Sequence, residues 1–193
     1  MAKMKDYYQE NAKEYIGKTM NADMSFLYSK FEEYLRPGSK ILDLGFGSGR
    51  DSLGFLSKGY EVYSLDPCQA FIEHGKEIGL PHLIKSSAED LDLNDCFDAI
   101  WANASLLHVA SNKLKDVFLR CARSLKDGGI MFCSFKYGDF EGERDGRYYV
   151  DLAKSSIGKF MEGHLNIKES FVTFDSLGCG GKWLNLIVSK QDQ

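Results

Sequence analysis

The chain has 193 residues, 44% apolar and 13% aromatic, with a formal net charge of −4 and scattered Lys and Arg. That suits a single folded domain over 1–193 with a full core, and argues against a nucleic-acid phosphate footprint. No apolar run approaches the roughly 20 residues that cross a bilayer, and the N-terminus lacks a hydrophobic signal region, so no membrane role and a cytoplasmic location are expected.

Two helices are predicted first, over 5–16 and 24–35. In the second, Phe26, Leu27, Phe31, Tyr34 and Leu35 recur at helical spacing, and Arg36-Pro37-Gly38 ends it. Strands and helices then alternate: strand 40–44, helix 50–58, strand 60–65, helix 68–78, a short strand 82–85 and strand 97–102. Helix 111–125, strand 130–136, a polar segment 137–146, a helix at 148–161, and strands 164–174 and 182–189 complete the chain. Such alternation implies an α/β fold, a parallel sheet with helices on both faces. The last two strands are joined by 175–181, too short for a helical crossover, and should pair antiparallel. Cys68, Cys96, Cys121, Cys133 and Cys179 have no C-x-x-C spacing and read as reduced thiols. No His/Cys cluster has metal-ligand spacing, so no metal is expected.

Residues 41–51, Ile-Leu-Asp-Leu-Gly-Phe-Gly-Ser-Gly-Arg-Asp, carry the most chemistry. A buried strand runs into Gly45, Gly47 and Gly49, where a missing Cβ permits sharp turning and close approach to a ligand. A helix follows, so free N–H groups and a positive dipole end are expected to face a nucleotide cofactor. A dinucleotide fingerprint would read G-x-G-x-x-G, but here the third glycine comes one residue early and Arg50 stands where Gly is expected. Asp43, two before the first glycine, suits a ligand with a cationic ammonium rather than a diphosphate. Asp66 ends the second strand, 21 residues after Gly45, where an acid accepts from ribose hydroxyls; Pro67 then opens a helix. Asn103 places a polar side chain at the C-terminal edge of the sheet, where open α/β proteins bind ligands. His108 follows as a candidate general base. Arg144 and Arg147, three apart and close to Lys136 and Tyr137, read as an anion clamp for a substrate.

Asp-x-Gly-x-Gly-Ser-Gly resembles motif I of the class I S-adenosylmethionine (SAM) methyltransferases. The segment 97–108, Phe-Asp-Ala-Ile-Trp-Ala-Asn-Ala-Ser-Leu-Leu-His, resembles a bacterial branch allied to the tellurite-resistance methyltransferases. Tyr7, Tyr8, Asn11, Tyr15 and Thr19 match that branch's N-terminal pattern. The resemblance covers about residues 6–150. It implies a Rossmann-like, doubly wound seven-stranded methyltransferase fold ending in an antiparallel hairpin, and transfer of a methyl group from SAM to a small-molecule acceptor with S-adenosylhomocysteine leaving. It implies cofactor contacts at Asp43, Gly45, Phe46, Gly47, Gly49, Arg50, Asp66, Pro67 and Asn103, with adenine contacts at Ser87, Ala88 and Glu89. Residues 1–36 are expected to form a helical lid within the domain, bringing Tyr8 to the substrate and offering Tyr15 beside His108 as a base. Phe46 stands where a small residue is usual, so its ring either crowds the methionine part of SAM or packs beneath it. The crowded case motivates an alternative, a non-catalytic SAM or nucleoside-binding protein. A third reading, a nicotinamide oxidoreductase, is disfavoured by Arg50 and the terminal hairpin.

Overall fold

The computed structural model describes residues 2–175 and 181–191. Its core is a seven-stranded sheet ordered β3-β2-β1-β4-β5-β9-β8. The first five strands, β1 (Lys40–Leu44), β2 (Glu61–Leu65), β3 (Leu83–Ile84), β4 (Phe97–Ala102) and β5 (Leu125–Lys136), pair in parallel. β9 (Lys182–Lys190) pairs antiparallel with both β5 and β8 (Leu165–Phe174), forming the expected terminal hairpin. This is the architecture of the methyltransferase Rossmann-like fold. Cys68, Cys96, Cys121 and Cys133 are free, whereas Cys179 and most of the 175–181 connection lie outside the described residues.

Among the described residues six helices flank the sheet: α1 (Ala2–Thr19), α2 (Ser25–Glu32), α3 (Arg50–Ser57), α4 (Gln69–Glu77), α5 (Ser111–Ser124) and α6 (Lys154–Met161). β4 is apolar on both faces because both are covered. On one face, Leu114, Val117 and Phe118 of α5 and Ile157 of α6 pack against Leu42, Ile100 and Met131. On the other, Phe31 of α2 and Phe55 of α3 surround Trp101, which stacks on Phe132 at 4.1 Å. Thus α2 belongs to the sheet core, and α1 instead packs on α4 through Ala12, Phe71 and Ile72.

The polar segment differs from expectation. The predicted helix over 148–161 begins only at Lys154; before it lies a hairpin of β6 (Glu141–Arg144) and β7 (Arg147–Val150). Its two-residue turn is Asp145-Gly146, both at positive φ, 49° and 75°. Asp-Gly is a favoured loop for such a turn, whose twist matches the flanking strands. Arg144 and Arg147 are therefore a cross-strand pair flanking a turn, not neighbours on a helix.

Candidate functional site: the glycine loop and its roof

Strand β1 delivers the loop to the C-terminal edge of the sheet. Gly45, Gly47 and Gly49 all have positive φ, 83°, 52° and 80°. Four of the loop N–H groups expected to be free, those of Gly45, Phe46, Gly47 and Gly49, are taken. Gly45 and Phe46 donate to the Leu65 carbonyl at 2.7 and 3.2 Å, and Gly49 donates to that of Phe46 at 2.9 Å. Gly47 donates to Asp66 Oδ2 at 3.2 Å. The loop is pinned to the end of β2 by the donors that would otherwise cradle phosphate.

Acids dominate instead. Asp66 also accepts from the Cys68 N–H at 2.8 Å, which starts α4 in place of a Cys68 side-chain cap; burial pushes its carboxyl up to about 6. Asp43 is buried and accepts from Ser52 Oγ at 2.6 Å, while Ser52 shares a further bond with Ser64. Burial and the nearby Asp51 raise the Asp43 carboxyl above the usual range.

A cavity of about 80 Å³ lies beside the loop, bounded by Gly45, Pro67, Ala88, Glu89, Ser105 and His108 among others. Ser105 Oγ is buried without a hydrogen-bond partner, and a Cβ on Gly45 would come within 3.2 Å of it. Ser105 belongs to the segment quoted above yet was not singled out, because a serine in a loop carries no signal until a neighbour fixes its direction. Ser87 is committed locally, its Oγ donating to Asp90 at 2.6 Å, whereas Glu89, with Lys113 Nζ at 2.9 Å, keeps both carboxylate oxygens buried without a hydrogen-bond partner. A larger open cleft of about 520 Å³ lies at the opposite end of the strands, where Lys190 is already bound to Asp95 and the Leu125 carbonyl.

Phe46 turns away from the cavity. Its ring is buried with Phe71, Ile72 and Leu80. A Cβ on Gly75 of α4 would meet it at 3.2 Å, so it fills the notch under a helical glycine. Arg50 and Asn103 also turn away. Arg50 donates to both carboxylate oxygens of Asp51, at 2.6 and 2.9 Å, and to the Thr19 carbonyl at 3.2 Å. Asn103 donates to Asp51 at 3.3 Å and accepts from Ser134 Oγ at 2.9 Å, and Ser134 in turn takes the Ala104 N–H. Asp51, absent from the sequence reading, is thus the hub of a buried network with Tyr28 and Trp101.

The roof is α1 and the β6–β7 hairpin. Tyr15 covers Gly47, where a Cβ would lie 3.1 Å from its ring; burial raises its phenol well above the ordinary value. Tyr8 packs edge-on to Tyr15 and its hydroxyl donates to His108 Nε2 at 2.9 Å. His108 Nδ1 lies 2.6 Å from the Tyr148 carbonyl. A carbonyl only accepts, so Nδ1 carries the proton and Nε2 receives the Tyr8 O–H. Burial pushes His108 down to about 4, so it is neutral at pH 7 and its lone pair is filled. Lys136 lies over the Trp183 ring at 4.8 Å, Tyr137 is exposed, and Arg144 is bound bidentate to Asp151 at 3.1 and 2.5 Å.

The depressed His108 gives a pH signature. Between about pH 6.5 and 4 the unfolded chain protonates this ring and the folded chain does not, so its share of stability falls as pH falls. The stability margin of wild type over His108→Asn should shrink by up to about 3 kcal/mol across that window in denaturant melts. Asp66, raised to about 6, titrates with the opposite sign over much of it, so the variant comparison, not the wild-type curve, isolates His108.

A glycine loop whose Gly45, Phe46, Gly47 and Gly49 N–H groups are bonded within the protein, beside the buried Asp66, is better suited to a cationic nucleoside than to a diphosphate. Residues 42–133 match the methyltransferase domain family. That segment runs from β1 to the middle of β5 and contains the loop, Asp66 and the cavity wall. The chain is 35% identical over 103 residues to the ubiquinone biosynthesis O-methyltransferase of Nitrobacter winogradskyi, covering 50% of this chain and 38% of that protein. It is 25% identical over 173 residues to phosphoethanolamine N-methyltransferase 1 of Zea mays, covering 81% of this chain and 33% of that one. The chain thus spans less than two fifths of either curated relative. In fold it resembles Burkholderia thailandensis 1,6-didemethyltoxoflavin-N1-methyltransferase, solved with 1,6-didemethyltoxoflavin and S-adenosylhomocysteine. The TM-score is 0.82 at 19% identity, covering 99% of this chain and 88% of that one.

Proposed function

We propose that this chain is a SAM-dependent methyltransferase of the class I type, transferring a methyl group to a small molecule. The observation that carries the reading is the engagement of the Gly45, Phe46, Gly47 and Gly49 N–H donors by Leu65, Phe46 and Asp66, beside the buried Asp66 carboxylate. An ammonium and a sulfonium are attracted there and a diphosphate is repelled. The match over 42–133 supports the same assignment. The finer kinship, with the bacterial branch allied to tellurite resistance, rests on 97–108 and the N-terminal tyrosines. The reduced cysteines support a cytoplasmic location; among the described residues no helix is long and apolar enough to cross a membrane.

When bound, SAM supplies an already activated methyl group, so the protein's work is positioning and exclusion of water. Asp66 would hold the sugar, the Gly45–Gly47 backbone and Ser105 Oγ the region beside the loop, and Ala88 the base edge. Alignment of that kind contributes up to about 7–11 kcal/mol in well-oriented systems. His108, neutral with its lone pair occupied, serves better as an orienting acceptor for Tyr8 than as a base at pH 7. The cavity of about 80 Å³ is far below the roughly 300–1,000 Å³ of ordinary ligand sites. Tyr15 of α1 lies over Gly47 of the loop, so α1 is the part of 1–36 placed to act as a cover. The non-catalytic alternative loses its motive, since Phe46 packs under α4.

Calorimetry with SAM, S-adenosylhomocysteine and NAD tests the reading. Both sulfur nucleosides should bind at about micromolar Kd and NAD should not; tight NAD binding with neither of the others would overturn it. Asp66→Asn should weaken S-adenosylhomocysteine by about tenfold or more and remove the decline in affinity expected below about pH 6, the value at which Asp66 protonates.

A further inference from the structure

The hairpin brings two arginines to the roof and treats them differently. Arg144 is neutralised by Asp151 through two hydrogen bonds. Arg147 lies between the rings of Tyr7 and Tyr149, at 5.0 and 5.3 Å from their centroids. Among the described residues no carboxylate is paired with it, and its Nε is buried without a hydrogen-bond acceptor. A clamp between rings accounts for the flat faces of a guanidinium and leaves its edge unexplained. Stacking uses the π faces, whereas the N–H donors point outward in the plane. The edge has a defined surrounding: Arg147 lies over Tyr7, Tyr7 packs edge-on to Tyr8, Tyr8 is bonded to His108, and His108 lines the cavity.

We propose that Arg147 receives a carboxylate carried by the methyl acceptor, so that the substrate class is small anionic molecules. This rests on the methyltransferase reading above. The charge layout supports it, since the buried Asp66 beside the glycine loop disfavours an anion at that end. An acceptor carboxylate is drawn to the roof, which leaves the rest of that molecule directed at the cavity. Nε with a neighbouring Nη makes the fork that matches a carboxylate.

The test uses protein loaded with S-adenosylhomocysteine and titrated with benzoate and with benzamide, a pair of similar shape and different charge. Benzoate should bind at about millimolar Kd and benzamide at least about tenfold more weakly. Arg147→Gln should abolish that preference and Arg147→Lys should keep part of it, with S-adenosylhomocysteine affinity and melting temperature held. Equal binding of the two probes, or no benzoate binding up to about 10 mM, overturns the proposal and needs no variant. A cofactor carboxylate is the other source of such an anion. If Arg147→Gln weakens S-adenosylhomocysteine but not methylthioadenosine, which lacks that group, the guanidinium belongs to the cofactor and the proposal fails. Failure of SAM and S-adenosylhomocysteine to bind at all would overturn the cofactor reading and this one with it; cofactor binding without a benzoate preference overturns this one alone.

Discussion

Asp51→Ala should lower the unfolding free energy by about 3–5 kcal/mol, the range for removing one partner of a buried ion pair. Asp51 is buried, and burial alone would raise its carboxyl. The Arg50 guanidinium, with hydrogen bonds from Tyr28 and Trp101, holds it below the ordinary value instead. Truncation leaves Arg50 largely buried without its anion, and leaves the Trp101 Nε1–H and the Tyr28 hydroxyl without the acceptor they meet at 2.8 and 2.5 Å. Each loss alone costs about 1–3 kcal/mol. Because Arg50 also holds the Thr19 carbonyl at the end of α1, the roof should loosen together with the core. Denaturant melts measure the first effect, and amide exchange in α1 the second. A loss below about 1 kcal/mol would show that water replaces the carboxylate, and that the network is not dry.

Gly45→Ala should cut S-adenosylhomocysteine affinity by about 100-fold or more, some 2.7 kcal/mol. Two effects combine. A φ of 83° is strained for any residue with a Cβ. The added methyl would also lie 2.5 Å from Ser105 Cβ, so the loop or the 105–109 wall of the cavity must move. Gly59→Ala separates the two. Its φ is 86°, but nothing lies within 4 Å of the new Cβ, so it should cost about 1 kcal/mol of stability and leave affinity unchanged. Calorimetry on both variants, beside their melts, decides the matter. If Gly45→Ala retains wild-type affinity, the wall at Ser105 is not part of the binding site.

The sheet was legible because its cues are local. A continuous apolar run at 97–102 marks a strand covered on both faces, Gly59 and Gly79 end elements, and a connection of seven residues cannot hold a crossover helix; Gly128, expected to precede a strand at 130, instead lies inside β5. The helix expected at 148–161 was partly wrong for an equally local reason. Tyr148, Tyr149 and Val150 fit a helical stripe as well as a strand, and the Asp145-Gly146 turn signal that discriminates between them was passed over. The core face of α2 was visible in its helical spacing. That α1 and not α2 lies over the loop was not, since both carry aromatic residues.

The chain's own pattern determined that a glycine turn follows a buried strand, that an acid stands at the end of the next one, and that the sheet closes on an antiparallel pair. Those follow from backbone sterics and element length, which act over a few residues. Which side chains face the cavity was decided only in three dimensions. Arg50 and Asn103 were drawn off by the buried charge of Asp51, Arg144 by Asp151, the loop N–H groups by the Leu65 carbonyl and Asp66, and Phe46 by the notch at Gly75. Apart from the neighbouring Arg50 and Asp51, whose pairing is fixed by the distant Thr19, Tyr28 and Trp101, each of these depends on a partner further along the chain. A buried polar group must find its complement wherever the fold brings one, and no local pattern records where that will be.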